Sequence, residues 1–464
     1  MTIEKLYDIY LRHPSIRTDT RQLKQGDLFF ALKGPNFNGN AFAARAFELG
    51  AAYAIIDETP DQSSAADGQP SPDLPPPYIS DRLIVVPDVL STLQELALHH
   101  RRQFDIPFIA ITGSNGKTTT KELIHATLSS TYTTYTTQGN LNNHIGIPLT
   151  ILSVQKDAQF AVIEMGANHQ KEIEAYCRYT LPTHGIITNV GKAHLEGFGG
   201  PEGVKKGKGE LYDFLRGTAG TAFVLRDSAD LMQMSRGIPH LITYGTHDAD
   251  ITGVIAPSEA LLKVDITHGA STGPIQTQLV GDYNLPNVLV AVAVGRHFGV
   301  PDAAIRQAIE QYAPSNSRSQ LIERNGLHII LDAYNANPSS MRAAIENFAR
   351  LPIPGDASQP AQPATSASPG AAAQPASRKV LILGAMAELG PESLAEHQGI
   401  IDLIGQYAWQ QVVLVGGDFR HLSHPYLSFA NSKEAGRWLA GVGLKDSYLL
   451  IKGSRSMKME EVLD

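Results

Sequence analysis

Residues 108–128 constrain the fold of this chain more than any other segment. The apolar run Phe-Ile-Ala-Ile-Thr is followed by Gly-Ser-Asn-Gly-Lys-Thr-Thr at residues 113–119, and then by helical apolar spacing to Leu128. Glycines let the backbone curl so that successive N–H groups point at one anion, and the N-terminus of the helix adds partial positive charge. The pattern predicts a buried strand, a phosphate-binding loop and a helix.

The side chains of this loop predict the chemistry of its ligand. Lys117 is placed to reach the β- and γ-phosphates of a nucleoside triphosphate, and Thr118 to offer a hydroxyl to Mg²⁺. The general pattern has a glycine five residues before Gly116, where this chain has Ile111. A tight strand–helix turn without a ligand therefore stays an alternative. The candidate nucleotide-binding residues of the loop are Gly113, Ser114, Asn115, Gly116, Lys117, Thr118 and Thr119.

Length, charge and cysteine content exclude several classes of protein. The 464 residues suggest two to four domains at roughly 100–200 residues per domain. The formal net charge is -8 at pH 7, whereas a surface that binds nucleic acid is usually positive, so no nucleic acid partner is predicted. The single cysteine, Cys177, cannot form an intrachain disulfide and is predicted to be a small apolar thiol.

The N-terminal sequence and the hydropathy pattern predict a cytoplasmic protein. The chain begins without the basic start and apolar run of a signal peptide. No stretch approaches the about 18 uninterrupted apolar residues of a membrane helix, so no membrane insertion is expected.

Strand and helix patterns alternate along the chain and predict an α/β fold with parallel sheets. We predict three domains: a small N-terminal α/β domain at 1–88, a central domain with the phosphate loop at 89–314, and a Rossmann-like C-terminal domain at 315–464. The predicted helices are 41–49 and 117–128; the predicted strands are 27–32, 53–56, 108–112, 160–164, 185–189, 328–331, 380–383, 412–415 and 448–451, with an antiparallel patch at 251–279.

Two segments are too poor in large apolar residues to fill a core. The polar, proline-rich stretch at 59–77 is predicted to be a mobile surface loop. The run of Ala, Pro, Ser and Gln at 354–377 is predicted to be a disordered insertion within the third domain, because strand patterns flank it on both sides.

Further polar residues follow the central strands. Glu164 ends the strand at 160–164, and ligands of open α/β sheets bind beyond the carboxyl ends of the strands, where a carboxylate beside the phosphate loop is suited to Mg²⁺. His194 follows the next strand and is a candidate for metal or phosphate binding. Taken alone, Glu164 could be a surface residue, His194 an ordinary loop residue, and Lys205, Lys206 and Lys208 a solvated helix face.

These motifs together resemble the Mur ligase family over nearly the whole chain. The phosphate loop of the family is T-G-[ST]-x-G-K-[ST]-[ST], which residues 112–119 match, so Ile111 is no departure within the family. The resemblance implies an N-terminal substrate domain, a central P-loop ATPase domain and a C-terminal Rossmann-like domain. It also implies an ATP-dependent ligase that forms an amide bond.

The resemblance also implies roles for individual residues. Thr118 and Glu164 would bind Mg²⁺, and His194 a second metal ion. Lys208, just before Gly-Glu-Leu-Tyr, falls where the family has a carbamylated lysine, with Lys206 as the competing register. The implied catalytic residues are Lys117, Lys208 and His194, and the further ATP contacts are Asn287, Arg318, Asp332 and Asn335.

Within the family, the motifs are most similar to the ligases that add D-alanyl-D-alanine to UDP-N-acetylmuramoyl tripeptide. They include Glu-Met-Gly-Ala at 164–167 and Tyr-Asn-Ala-Asn-Pro at 334–338. The chain departs from the family at Ala385, where Asp is usual, and in Phe-Asn-Gly-Asn at 37–40. The expected substrate contacts are Asp19, Thr20, Arg21, Gly34, Asn38, Asn140, Asn142, Asn143, Lys452, Ser454 and Arg455.

The implied reaction passes through an acyl phosphate. The tripeptide carboxylate takes the γ-phosphoryl group of ATP, and the amine of D-alanyl-D-alanine then displaces phosphate. A monomer is expected, with hinges near residues 88 and 316 that let the domains close. The alternatives are another Mur ligase, folylpolyglutamate synthetase, a P-loop kinase, and a non-catalytic nucleotide-binding module.

Overall fold

A computed structural model describes residues 1–58, 81–258, 261–314, 318–353 and 377–464. Several predictions lie outside these ranges: the loop at 59–77, the first residue of the third domain, the hinge near 316, and the insertion at 354–377 except for its last residue. Within the described ranges, no helix is both long and apolar enough to cross a membrane.

The described residues up to Arg101, which are 1–58 and 81–101, contain three α-helices and six short strands. In chain order these are α1 (Ile3–Arg12), β1 (Ile16–Arg17), β2 (Leu28–Phe30), β3 (Lys33–Gly34), β4 (Phe37–Asn38), α2 (Ala43–Glu48), β5 (Tyr53–Ile56), β6 (Leu83–Val85) and α3 (Val89–Arg101).

The described middle of the chain largely alternates strands and helices before it ends in four successive strands and two helices. The elements are β7 (Phe108–Thr112), α4 (Lys117–Ser129), β8 (Thr134–Thr136), α5 (Gly146–Leu152), β9 (Phe160–Glu164), α6 (Glu172–Thr180), β10 (His184–Ile187), α7 (Leu195–Phe198), α8 (Pro201–Gly217), β11 (Thr221–Leu225), α9 (Ala229–Met234), β12 (His240–Gly245), β13 (Ile251–Ala256), β14 (Leu261–His268), β15 (Ile275–Val280), α10 (Leu285–His297) and α11 (Asp302–Gln311).

The C-terminal part again alternates strands and helices after an initial hairpin. Its elements are β16 (Gln320–Arg324), β17 (Leu327–Asp332), α12 (Pro338–Arg350), β18 (Lys379–Gly384), α13 (Ser393–Ile404), β19 (Gln411–Val415), β20 (Leu427–Phe429), α14 (Ser432–Gly441) and β21 (Tyr448–Lys452).

The described residues form two compact units, and β7 passes from the first into the second. The first unit contains Met1–Ala110, Thr133–Gly166 and Glu174–Thr183. The second contains Ile111–Tyr132, Ala167–Ile173 and His184–Asp464.

The first unit holds a parallel four-stranded sheet in the order β1-β2-β5-β6. Phe29, Phe47 and Ile56 belong to the apolar core beside it. Strands β8 and β9 form a second parallel pair, and β9 is buried along its whole length. The predicted hinge near residue 88 coincides with the N-cap of α3, where the Asp88 carboxylate accepts from the Ser91 N–H at 2.6 Å.

The second unit holds two sets of strands. Strands β10, β11, β12 and β13 pair in parallel, and β13, β14 and β15 continue as the predicted antiparallel patch. The other sheet has the order β16-β17-β21-β18-β19-β20 and is parallel except at β16. These parallel sheets confirm the predicted α/β class.

Helix α10 shows how the second unit is packed. The helix is apolar on nearly every side, which is typical of a fully buried helix, and ten of its residues are buried. A Cβ on Gly295 would lie 2.7 Å from Thr127 Cγ2 on α4 and 2.9 Å from Ile305 Cδ1 on α11. Glycine at this position therefore permits the close approach of the helix that follows the phosphate loop.

The predicted strands are confirmed, with changes at their ends that have local causes. Strand β2 stops at Phe30, because the Leu32 N–H turns back to the Phe30 carbonyl at 2.9 Å. Strand β10 stops at Ile187, two residues before the predicted end, because the next two residues hold the phosphate loop. Nine of the described strands were not predicted, and these are β1, β3, β4, β6, β8, β11, β12, β16 and β20.

We expect His184 to make this protein less stable in acid. Burial, together with the charge of His297, lowers the pKa of His184 from 6.5 to about 4. The unfolded chain therefore binds more protons between these pH values, and stability falls as the pH is lowered through this window. The slope for one such group approaches about 1.4 kcal/mol per pH unit.

The matched variant is His184→Phe, because the imidazole already contacts the rings of Phe223 and Phe298. The free energy of unfolding from urea titrations at pH 7 and pH 5 should fall more for the wild type than for the variant. Equal losses would contradict the assignment.

Candidate active site

The phosphate loop begins at Gly113, a position that only glycine can occupy. Its φ is +143°, and an added Cβ would lie 2.0 Å from Oγ1 of Thr188. The Thr188 hydroxyl donates to the Asn115 carbonyl at 2.6 Å. The loop is thus held directly against the residues that follow β10.

Asn189 completes this attachment. Its carbonyl accepts from the Ser114 N–H at 3.0 Å, its Oδ1 accepts from the Asn115 N–H at 3.1 Å, and its Nδ2 donates to the Asn115 carbonyl at 3.0 Å. These two loop amides are therefore used inside the protein. The amides in the first turn of α4, which have no acceptor within the helix, are the ones suited to an anion. The polar ending of the strand was the only sequence signal for Thr188 and Asn189.

The second loop glycine, Gly116, is packed against Asn287. It has φ +80°, and a Cβ there would lie 2.8 Å from Asn287 Oδ1. That oxygen accepts from the Thr120 hydroxyl at 3.0 Å, while Asn287 Nδ2 donates to Asn284 Oδ1 at 2.8 Å. The structure places Asn287 beside the loop, as a nucleotide-binding residue requires, but both ends of its amide are engaged. Its contact with adenine stays a prediction.

Lys117 lies folded over the loop that precedes it. Its Nζ donates to the carbonyls of Gly113 at 2.7 Å and Ser114 at 3.2 Å. The ammonium group is thereby held on the concave side of the loop backbone, where it can meet a phosphate. Thr118 and Thr119 occupy the first turn of α4 and are partly exposed.

Lys208 is a fully buried lysine on α8. Its Nζ donates to the Ala167 carbonyl at 2.9 Å and lies 4.8 Å from the centre of the Phe198 ring. Burial, and next the charge of Lys117, holds the pKa of Lys208 well below its ordinary value. Lys206, the competing register, is exposed. The burial difference favours Lys208, although carbamylation itself stays a prediction.

His194 lies just before α7 and has a left-handed backbone with φ +53°. Its Nδ1 makes a short hydrogen bond with Oε2 of Glu388, a residue from the loop between β18 and α13. That bond lowers the pKa of Glu388. Glu388 was not singled out in the sequence, because nothing local connects it with His194.

Glu164 belongs to the first unit, at the end of β9. The side chain is buried, and Oε1 accepts from Asn142 Nδ2 at 2.8 Å. Oε2 is buried with no hydrogen-bond partner in the described structure. A buried carboxylate oxygen without a partner is costly, and a cation would satisfy it. The geometry therefore fits a metal-binding role for Glu164 and brings the predicted substrate residue Asn142 beside it.

The predicted metal ligands are of mixed type. No group of three or more His, Cys, Asp or Glu side chains in the described ranges is arranged to hold a metal ion. Glu164 and His194 are the two predicted ligands of these types, and the others are the Thr118 hydroxyl and a carbamate on Lys208.

Three of the residues predicted near ATP or substrate form one cluster after β17 and β21. Lys452 is buried, and its Nζ contacts Asp332 Oδ2 at 2.5 Å and the Asn335 carbonyl at 3.2 Å. The Arg318 guanidinium lies 3.6 Å from the centre of the Tyr334 ring. The Arg455 guanidinium lies 5.9 Å from the centre of the same ring. Tyr334 therefore lies between two predicted ligand-binding arginines.

Asn337 connects the C-terminal part to the phosphate loop. Its Nδ2 donates to Asn115 Oδ1 at 2.7 Å, and Asn115 Nδ2 returns a longer bond to Asn337 Oδ1 at 3.4 Å. Asn337 also caps α12 in a reciprocal arrangement with Ser340. The sequence pattern contained Asn337 within Tyr-Asn-Ala-Asn-Pro but gave no sign of this contact.

The other predicted substrate residues lie in separate places. In the first unit, Asp19 and Arg21 form an exposed ion pair at 2.6 Å, and Asn38 donates to Glu58 at 2.7 Å. Just before α5, the Asn143 side chain accepts from the N–H groups of Ile145 and Gly146. The remaining predicted substrate residues of this unit are Thr20, which is partly exposed, and Gly34 and Asn140, which are exposed.

Ser454 is occupied by a contact within the second unit. Its hydroxyl donates to the Ala385 carbonyl at 2.6 Å, and its N–H donates to the same oxygen at 3.1 Å. Ala385, the departure from the family pattern, is itself buried. The structure thus uses the backbone of residue 385 to fix the residues that follow β21.

Comparisons with known proteins agree on one family. The chain matches the Mur ligase middle domain over residues 111–295 and the Mur ligase family catalytic domain over residues 14–101. The UDP-N-acetylmuramoyl-tripeptide--D-alanyl-D-alanine ligase of Bacillus subtilis is 31% identical over 461 residues, which cover 97% of this chain and 92% of that protein.

A second relative and a solved structure are similar to this chain over nearly its whole length. The protein of the same name from Escherichia coli is 31% identical over 463 residues, again covering 97% of this chain and 92% of the relative. A crystal structure of MurF from Acinetobacter baumannii is similar with a TM-score of 0.81 at 28% identity, covering 100% of this chain and 97% of that one.

Proposed function

Because this chain belongs to the Mur ligase family, we propose that it joins D-alanyl-D-alanine to the terminal carboxylate of UDP-N-acetylmuramoyl tripeptide. ATP is converted to ADP and phosphate, and the product is the UDP-linked pentapeptide used in peptidoglycan synthesis. The 31% identity to two ligases with this activity, across 97% of the chain, carries the proposal.

The reaction needs ATP because a carboxylate is a poor electrophile at neutral pH. In the first step a carboxylate oxygen bonds to the γ-phosphorus, and the bond from that phosphorus to the bridging oxygen breaks, leaving ADP and an acyl phosphate. In the second step the amine of D-alanyl-D-alanine bonds to the acyl carbon. The bond to the phosphate oxygen breaks, phosphate leaves, and the amine loses a proton.

The protein contributes mainly alignment and neutralisation of charge. Lys117 and the first-turn amides of α4 meet the phosphate oxygens, and the fixed loop from Gly113 to Asn115 keeps them in place. The proposal also includes the nucleotide contacts predicted for four further residues, which are Asn287, Arg318, Asp332 and Asn335.

Metal binding belongs to the same proposal. Glu164, with its unpartnered buried oxygen, and Thr118 are proposed as magnesium ligands, and His194 as the ligand of a second ion. Magnesium, when bound, offsets negative charge on the transferred phosphoryl group.

The environment of Lys208 supports its carbamylation. A lysine adds carbon dioxide only through its neutral amine, and burial lowers the pKa of Lys208, which increases the share of that form. The nitrogen bonds to the carbon of CO₂ and loses a proton, which converts a buried cation into an anion suited to magnesium. We also propose that the protein is a monomer and that it acts in the cytoplasm. The predicted substrate residues named above are proposed to contact the two substrates.

One assay separates this function from its alternatives. Phosphate release from ATP should require both UDP-N-acetylmuramoyl tripeptide and D-alanyl-D-alanine, because the tripeptide must first accept the γ-phosphoryl group and the amine must then displace it as phosphate. L-alanyl-L-alanine serves as the matched control dipeptide and should give only background release. Release with a different acceptor or amine would identify another ligase of the family, including folylpolyglutamate synthetase. Nucleotide binding without release in any mixture would leave a non-catalytic module.

A further inference from the structure

The loop between β18 and α13 reaches His194 with a carboxylate. Glu388 Oε2 and His194 Nδ1 form a short hydrogen bond across 194 positions of the chain. The His194 side chain is 18% exposed in this arrangement. One ring nitrogen of His194 is thus hydrogen-bonded to Glu388, a residue that has no role in the proposed function.

This hydrogen bond determines which imidazole nitrogen is open. An ionised carboxylate only accepts hydrogen bonds, so Nδ1 must carry the proton. In the neutral ring the lone pair then belongs to Nε2, and this is the nitrogen able to bind a metal ion. Histidines that bind metals commonly donate their other ring N–H to a carboxylate, which fixes both the tautomer and the ring orientation.

Further contacts hold the backbone segments of His194 and Glu388 together. The Glu196 N–H donates to the Glu388 carbonyl at 3.4 Å, and Lys192 Nζ pairs with Glu396 at 2.6 Å. A third contact joins the Lys192 N–H to the Ser339 hydroxyl at 3.0 Å. The segment that carries His194 is therefore attached at several points to the C-terminal part of the second unit.

Both residues of this pair also have an unusual backbone conformation. His194 and Glu388 have φ of +53° and +60°, values that side-chain-bearing residues rarely adopt. Such conformations persist only where the surrounding structure enforces them, and they are concentrated at functional sites. Both ends of this hydrogen bond are held at some cost to the local backbone.

We propose that Glu388 is a positioning residue that holds His194 with Nε2 presented to a divalent cation. The inference rests on the proposed metal role of His194. Because Glu388 follows β18, correct seating of that loop on residues 192–196 becomes a condition for full metal affinity. The metal site is thereby coupled to the C-terminal part of the chain.

The test measures Mn²⁺ binding to the full chain with ADP by electron paramagnetic resonance. The relevant site is the one whose Mn²⁺ binding is lost in His194→Ala. Glu388→Ala should weaken this site by about 10–100-fold, the usual effect of removing a carboxylate behind a metal-binding histidine. Glu388→Gln should lose less, because its amide oxygen can still accept from Nδ1.

Glu396→Ala is the matched control, because it removes the Lys192 ion pair at the same interface without touching His194. This variant should keep Mn²⁺ affinity close to that of the wild type. Adding Glu388→Ala to His194→Ala should leave the remaining Mn²⁺ binding unchanged, since Glu388 acts through the imidazole. If Glu388→Ala proves unstable, the Mn²⁺ affinity of Glu388→Gln, compared with that of Glu396→Ala, decides.

The outcomes separate this inference from the proposed function. A His194-dependent site whose affinity is unchanged in Glu388→Ala overturns the positioning role and leaves the ligase proposal intact. Equal losses in Glu388→Ala and Glu396→Ala would also overturn it, because they would indicate general loosening of the interface. If the wild type has no His194-dependent site, the metal role of His194 fails and the inference with it. The phosphate-release assay judges the ligase activity independently.

Discussion

Lys117→Ala is expected to lower the rate of phosphate release by on the order of 10²–10³, the usual cost of losing one electrostatic contact to the transition state. The Lys117 ammonium lies on the carbonyls of Gly113 and Ser114 and is the cation of the loop itself. In the proposed reaction, its charge would offset the negative charge that develops on the phosphoryl oxygens. The measurement is steady-state phosphate release with ATP, UDP-N-acetylmuramoyl tripeptide and D-alanyl-D-alanine.

Lys206→Ala is the control for this variant. It removes the same charge from the same unit, but Lys206 is exposed on α8, so its rate should stay near the wild-type value. Thermal unfolding of both variants would verify that the fold is intact. A Lys117→Ala protein that keeps most of its activity would contradict the phosphate-loop assignment.

Lys208→Ala should also lose activity by on the order of 10² or more, because it removes the anion that the carbamate would supply to the metal site. The side chain is fully buried, so truncation also leaves a cavity. Lys208→Met, which keeps most of the side-chain volume, separates the two effects, since it should be better packed than Lys208→Ala and equally inactive.

Chemical rescue provides the specific readout for Lys208. A small added carboxylate should restore part of the activity of Lys208→Ala, where the cavity can hold it. The same carboxylate should do little for Lys117→Ala, because that variant lacks a cation. Full activity of Lys208→Met, or an unmodified Lys208 in a fully active crystal form of the wild type, would rule out the carbamate.

Local sequence was sufficient for the strands with the strongest apolar patterns. Strands such as β7 and β9 were predicted to the residue, because they are short apolar runs whose burial on both faces needs no alternation. The ends of β2 and β10 were missed, because they are set by individual hydrogen bonds. The exposed edge strand β16 was missed because its sequence has no strong apolar pattern.

Some residues of the candidate site could be predicted from the sequence, and others could not. Lys117 and the loop glycines could be found from spacing, since they act within one turn of chain. Asn189, Asn337 and Glu388 could not be found in this way, because each contacts a residue far away in sequence. Neither the spacing of apolar residues nor a sequence motif indicates contacts of this kind.

The sequence by itself determined the phosphate loop and the alternation of strands and helices, because backbone freedom at glycine and apolar spacing are local properties. Only the tertiary structure showed that Lys208 is buried and Lys206 exposed, since burial depends on which face of α8 packs inward near Phe198 and Ala167. It also brought Glu388 to His194. The pKa of a side chain and its hydrogen-bond partners depend on neighbours that are far away in sequence and that only folding brings close.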